Sequence, residues 1–503
     1  AGAAGAAAGQ AGAAGAAAGQ AGSAGAAAGQ AGSAGAAAGQ AGSAGAAAGQ
    51  AGAGATGLCG GGVCSDCAAP ADDQACRTAY PGADLCAGGS CEACDKPGAT
   101  LVVDPVNGSD ARGSGAATAG GVAAPGCALR TVTAAIKLVN AGPGGVTTIQ
   151  IVGPSTLDAG ESYPLVLPAD VVLTTTGDVT AKPGPSLSGS NSAVVRLQHP
   201  GSAIDTDATF VIDASGSPAS SQLAGVVVEP GSTDSTRLRG VSVLDAPGNG
   251  IRLTGKARLT VQDGVTVSGA GRGGNFSGIF LTDGGSLLTI DVPAGERPTT
   301  VVGSGSSGIT VTGPSGVKIS GVPGANPGEG TVVLSGNTVH GFNGLATGNG
   351  QQGVSLDGLV TFNNGDASSK GGSGVFLSMN TRAKVRRCVS LGNTRAGVHV
   401  DGTGALNSPA TSLVDLGVAG DPGLNVLQDA ASANQGVGIC FTPPTSVVTS
   451  TQVARGNTFG AAKDCATTAA SLSKGANCDG PHDVSVVSAS ASVTLDVAMC
   501  TIP

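Results

Sequence analysis

Between residues 99 and 500, apolar and small polar residues alternate in short runs of four to six, and glycine punctuates the runs. One run recurs: Gly, an apolar residue, any residue, another apolar residue. It reads Gly225-Val-Val-Val, Gly250-Ile-Arg-Leu, Gly278-Ile-Phe-Leu and Gly308-Ile-Thr-Val. It returns as Gly353-Val-Ser-Leu, Gly374-Val-Phe-Leu, Gly397-Val-His-Val and Gly438-Ile-Cys-Phe, at intervals of 25, 28, 30, 45, 21, 23 and 41 residues. Dividing the first long interval near Gly330, before Thr331-Val-Val-Leu, leaves a period of about 20–30 residues, the signature of a β-solenoid. By strand alternation the first and third residues after Gly point inward. Those pairs are Ile251/Leu253, Ile279/Leu281, Ile309/Val311, Val354/Leu356, Val375/Leu377 and Val398/Val400, all aliphatic as a narrow interior requires.

Asn337, Asn364, Asn393 and Asn457 each follow an apolar run. Asn tolerates the left-handed backbone of a sharp turn, and its amide can bond to an Asn one coil away. The opening of this region reads Val103-Asp-Pro-Val-Asn107-Gly-Ser-Asp110, then Gly113-Ser-Gly115, then Leu129-Arg-Thr-Val-Thr-Ala-Ala-Ile136. It resembles the opening of secreted bacterial right-handed parallel β-helix proteins of the pectate-lyase-like superfamily. The resemblance covers roughly residues 100–500 and implies a helix over Thr131–Asn140 that caps the first coil. It implies fold and not activity, since this fold hosts lyases, hydrolases, adhesins and inert scaffolds. The expected fold class is therefore all-β: a right-handed parallel β-helix of about a dozen or more coils with a helical N-terminal cap.

Two segments precede the solenoid. Residues 1–50 are five copies of a ten-residue unit, AGAAGAAAGQ, with Ser at three positions. Its Gly2, Gly5 and Gly9, with Gln10 closing the unit, would form a small-residue stripe on a helix. The same composition also suits a flexible spacer. Residues 56–98 hold Cys59, Cys64, Cys67, Cys76, Cys86, Cys91 and Cys94. Two CxxC pairs 23 residues apart raise a zinc site, but three further cysteines and few basic residues favour disulfides. Cys127 completes that group. Cys440, Cys465, Cys478 and Cys500 form another near the end, which leaves Cys388 as the free thiol. The expected domains are the tail (1–55), the Cys-rich module (56–98), the β-helix (99–460) and a disulfide-tied C-terminal cap (461–503).

Composition narrows the function. The net charge is −9 with no basic run, which argues against nucleic-acid binding. No run of about 18 strongly apolar residues predicts a transmembrane helix. Thirteen clustered cysteines place the chain in an oxidising setting, secreted or at the cell surface. The chain starts in mid-repeat without Met, which suggests a processed form or a missing start.

The outward residues of the recurring run include Arg252, Phe280, Ser355/Asp357, Phe376, His399/Asp401 and Cys440. The candidate catalytic patch is Asp357, Lys384, Arg387, His399 and Asp401, with the two Asp expected on equivalent positions two coils and roughly 10 Å apart. No catalytic motif surrounds any of them, and no cofactor or metal is expected. Aromatics are 2% of the chain, so few rings are available to stack on sugars. Phe280 and Phe376 are candidate contacts with a neighbour. These features predict a non-enzymatic structural or adhesive extracellular protein, self-associating or attached to the cell envelope through its tail. A polysaccharide-binding or polysaccharide-cleaving β-helix is the alternative.

Overall fold

The computed structural model describes residues 73–79, 83–87 and 90–458, apart from short interruptions at 143–144, 159, 188–191, 273, 283, 324–327, 346–352, 367–371, 404–410, 428–436 and 444–448; it also describes 473–474, 484–487 and 492–496. The tail, including Gly2, Gly5, Gly9 and Gln10, lies outside the described residues, as do Cys59, Cys64, Cys67, Cys465, Cys478 and Cys500.

From Thr100 onward the chain is a parallel β-helix with three strands to a coil. One coil is representative: Leu287–Val292 on the first face, Thr299–Val302 on the second and Ile309–Thr312 on the third, before Gly316–Gly321 opens the next coil on the first face. Each strand pairs in parallel with its counterpart one coil away, as Leu288 with Val317, Val301 with Leu334 and Ile309 with Phe342. The interior is a column of aliphatic residues. Ile251, Leu253, Ile279, Leu281, Ile309, Val311, Val375, Leu377, Val398 and Val400 are fully enclosed, because every other side chain of a strand can face only inward.

One recurring run was placed on the wrong face. Val354–Asp357 belongs to the first face, paired with Gly316–Gly321 and Ala383–Arg386. The third-face strand between Ile309–Thr312 and Ser373–Ser378 is Phe342–Leu345, which reads Gly-Phe-Asn-Gly from Gly341 and so lacks the recurring pattern. Val332–Ser335, after Gly330, lies on the second face. First-face and third-face strands share the same local pattern, and periodicity alone does not separate them.

Helix α1 spans Asp73–Ala79 and α2 spans Val132–Asn140. Thr131 caps α2: its hydroxyl accepts from the N–H of Ala134 at 3.0 Å. Glu161 accepts from the N–H groups of Val132 and Thr133, at 2.7 and 2.9 Å. The Asn-Gly-Ser-Asp loop sits beside it. Asp104 accepts from the N–H groups of Val106 and Asn107, and Asp110 from those of Arg130 and Thr131. Gly108 and Gly113 lie so close to the carbonyls of Leu129 and Ala128 that a Cβ at either would sit 2.3 Å from oxygen.

Disulfides join Cys76 to Cys91 and Cys94 to Cys127. Cys86 and Cys440 are also disulfide-bonded. The Cys94–Cys127 bond crosses the expected boundary at 98/99 and ties the Cys-rich module to the opening of the solenoid. Val484–Val486 and Ser492–Asp496, assigned to the C-terminal cap from sequence, extend the third and first faces by parallel pairing.

The turn asparagines form two ladders. Asn337 Nδ2 donates to Asn364 Oδ1, and Asn364 Nδ2 to Asn393 Oδ1, each at 2.9 Å, where the second face turns toward the third. Asn457 stands on another corner, where the chain leaves the first face, and accepts from Asn425 Nδ2 at 2.7 Å. Cys388 occupies the next step there. Its N–H donates to Asn425 Oδ1 at 2.9 Å, and its thiol is free and buried.

Candidate functional site

The outward side of the first face carries a groove of about 520 Å³ that runs across successive coils. Register builds it from two columns. Thr289, Lys318, Ser355, Lys384 and Asp415 stand one above another. Two positions earlier along each strand, a second column begins at Leu287, passes the bare backbone of Gly316 and Gly353, and ends at Arg382 and Leu413. The two glycines leave a notch with Leu287 on one side and the exposed Arg382 on the other; Leu413, 46% exposed, stands one coil beyond Arg382.

One wall of the groove is cationic. Lys318 is exposed and makes no ion pair among the described residues. Lys384 lies two coils away, about 10 Å at the usual strand spacing, and pairs with Asp421 at 2.8 Å. Beneath it Arg386, nearly enclosed, bridges Asp415 at 2.7 Å and Asp421 at 2.9 Å. Hydrogen bonds from Arg386 and Lys384 hold the Asp421 carboxyl well below the usual carboxylate range. Arg387 forks onto Asp357, its Nε donating to Oδ1 at 2.7 Å and its Nη2 to Oδ2.

The expected catalytic patch is thus split. Asp357, Lys384 and Arg387 share the first face. His399 and Asp401 are on the third, where Phe376 pairs with His399 and Ser378 with Asp401. Asp357 and Asp401 are therefore not equivalent positions of one strand stack. The spacing expected for them fails with the reassignment of Val354–Asp357. Asp401 accepts from the N–H and hydroxyl of Thr403, at 3.0 and 2.8 Å. His399 is buried, with Nε2 on the Thr442 hydroxyl at 3.0 Å and Nδ1 without a partner. Burial, with Arg395 nearby, keeps His399 neutral far below the ordinary histidine range, and drives His340 down to about 3. Phe376 is packed between these rings, stacked on His340 at 4.6 Å and edge-on to His399 at 4.9 Å. It is half-buried, as is Phe280, so neither is the freely exposed contact expected from alternation. No cluster of three metal-ligating side chains occurs among the described residues.

Sequence reasoning did not single out Lys318, Arg386, Leu287, Leu413 or the glycine notch. A signal was present. Gly316-Val-Lys-Ile-Ser and Gly353-Val-Ser-Leu-Asp have one phase, and aligning them sets Lys318 over Ser355.

No protein-family model matches the chain. No curated protein matches it either. Among solved structures it is similar to the A-module of an Azotobacter vinelandii mannuronan C-5 epimerase, AlgE6, at 14% identity and a TM-score of 0.35. It is also similar to the A-module of AlgE4 from the same organism, at 13% and 0.32. Both comparisons cover 74% of this chain and 94% of the other. At these values no residue role is carried across.

The expectation of a non-enzymatic structural or adhesive extracellular protein is corrected at this point. Where a plain scaffold surface was expected, the solenoid bears an open cationic groove. No helix among the described residues is long and apolar enough to cross a membrane. The disulfides indicate an oxidising setting outside the cytosol.

Proposed function

We propose that the chain is an extracellular polysaccharide-binding β-helix that takes an acidic polymer along the groove of its first face. The β-helix (99–460) carries the groove, and the Cys-rich module (56–98) staples its opening end. The observation that supports this most is the placement of Lys318 and Lys384 two coils apart on one column. Their separation of about 10 Å matches acidic groups two sugars apart on an extended chain, at roughly 5 Å per sugar and 4.8 Å per coil. Charge of this kind gives orientation and salt-dependent attraction.

The test is affinity electrophoresis of the full chain through gels containing a polyuronate or a neutral glucan. Retardation by the polyuronate alone is expected, weakened by Lys318→Glu and by 0.5 M salt. Equal mobility in both gels sinks the reading. The polymer is also recovered and sized after incubation, and shortening would extend the reading from binding to cleavage.

A further inference from the structure

Register gathers three cations and a hydroxyl about one patch of bare floor. In the charged column Ser355 stands between Lys318 and Lys384, one coil, about 4.8 Å, from each. Beside Ser355, in the other column, is Gly353. The exposed Arg382 follows Gly353 one coil on, two residues and about 7 Å before Lys384 on the same strand. Four positions therefore corner the patch formed by Gly353 and Ser355. Lys318, Lys384 and Arg382 hold three of them, and all three line the groove. The fourth is Gly316, which is bare and leaves that corner open.

A polymer backbone lies along the groove, so what reaches this floor is a group that projects from it. Donors arriving from three corners, with the Ser355 hydroxyl beside them, match an acceptor whose oxygens also point in three directions. A carboxylate has two oxygens in one plane and is satisfied by a two-pronged donor set. A sulfate half-ester carries the same single charge on three terminal oxygens set tetrahedrally. A phosphate monoester has that shape too, but bears most of a second negative charge at neutral pH. The second charge would meet Asp421, paired with Lys384 at 2.8 Å, and Asp415, the next residue of the charged column. These carboxylates partly neutralise the cations at this end, so a monoanion fits better than a dianion.

We infer that the groove selects polysaccharides bearing sulfate half-esters over those bearing carboxylates alone. This rests on the binding reading above and narrows its substrate class. The experiment uses the full chain and four probes prepared from one dextran stock. These are dextran sulfate, phosphodextran and carboxymethyl-dextran at equal substitution, and the plain dextran. Dissociation constants are read by calorimetry at pH 7 and constant salt.

Dextran sulfate is expected to bind about five-fold tighter than carboxymethyl-dextran, the scale of one additional hydrogen bond, and phosphodextran to bind less tightly than dextran sulfate. Ser355→Ala leaves the charge unchanged and should bring the sulfate-to-carboxylate ratio down to about two. Arg382→Gln should bring it to parity. Arg382 is exposed and Ser355 half-buried, so both variants retain the fold, which an unchanged unfolding midpoint verifies. Equal binding of the sulfated and carboxylated polymers by the unaltered chain overturns the sulfate inference and leaves the acidic reading standing. So does a preference that survives both substitutions, because the seat is then elsewhere. Tighter binding of phosphodextran than of dextran sulfate overturns the choice of a singly charged ester. Binding of the three charged polymers no tighter than plain dextran overturns both readings.

Discussion

At Arg387 the backbone adopts φ +51°, where a side chain is strained. The corresponding corner one coil earlier is Gly358, at φ +67°, and two coils later Gly456, at φ +70°. A Cβ at Gly358 would lie 2.0 Å from the carbonyl oxygen of Gly321. Gly358→Ala is therefore expected to cost more than about 2 kcal/mol, as strain and steric overlap combine. Arg387→Gly removes strain and an exposed ion pair together, so its stability should stay within about 1 kcal/mol of the parent. Urea midpoints of the two variants check both. Cys388 gives a different residue-scale test. Burial pushes its thiol up to about 12, and its sulfur lies near the carbonyls of Arg386 and Leu356. Iodoacetamide at pH 8 should leave Cys388 unmodified in the folded chain and label it in guanidinium, as peptide mass mapping would show.

Within single strands, much was legible because alternation is a local rule. The aliphatic pairs from Ile251/Leu253 to Val398/Val400 face inward as their phase requires. Thr131 before an apolar run marks the start of α2 for the same reason. The phase does not say which face of the coil a strand joins. Val354–Asp357 and Val375–Leu377 read alike, yet the first lies on the first face and the second on the third. The Asn positions carried the missing information in part. Asn337, Asn364 and Asn393 stack, whereas Asn457 follows the same kind of run and turns a different corner.

The third-face cluster of His340, Phe376 and His399 sets the pH response at this scale. Both imidazoles are neutral in the folded chain, but the unfolded chain takes up protons below about pH 6.5. Protons therefore favour unfolding from about pH 6.5 down toward 3, the folded value of His340. Stability should fall with falling pH in that window by about 1.4 kcal/mol per unit for each histidine. Urea midpoints at pH 7.5 and 5.0 test this, and a His340→Phe, His399→Leu double variant should flatten the slope.

Across the whole solenoid, the groove escapes a linear reading because its two columns draw on residues from Leu287 to Asp415. No window of sequence holds Lys318 beside Lys384. Only the coil register does, and two different loop lengths separate the strands that carry them. The attraction between this column and an acidic polymer should weaken as salt rises, with Kd increasing several-fold between 0.05 and 0.5 M as the screening length shrinks from about 14 Å to about 4 Å. Lys318→Glu should lose most of that salt dependence, which a titration series in both salts would read.

The opening strand, Thr100–Val103, has one further consequence. On one side it pairs with Thr148–Ile151. On the other, the N–H of Val102 donates to the carbonyl of Gly115, its own carbonyl accepts from Leu129, and the N–H of Asp104 reaches Leu129. The backbone groups that would template an incoming strand are already taken by the chain's own loop. A second molecule that tried to continue the stack from this end would have to displace that loop, held in place by Asp104, Asp110 and the Cys94–Cys127 bond. Seeding of shared sheets is thereby blocked at this end, and growth there stops at a single chain.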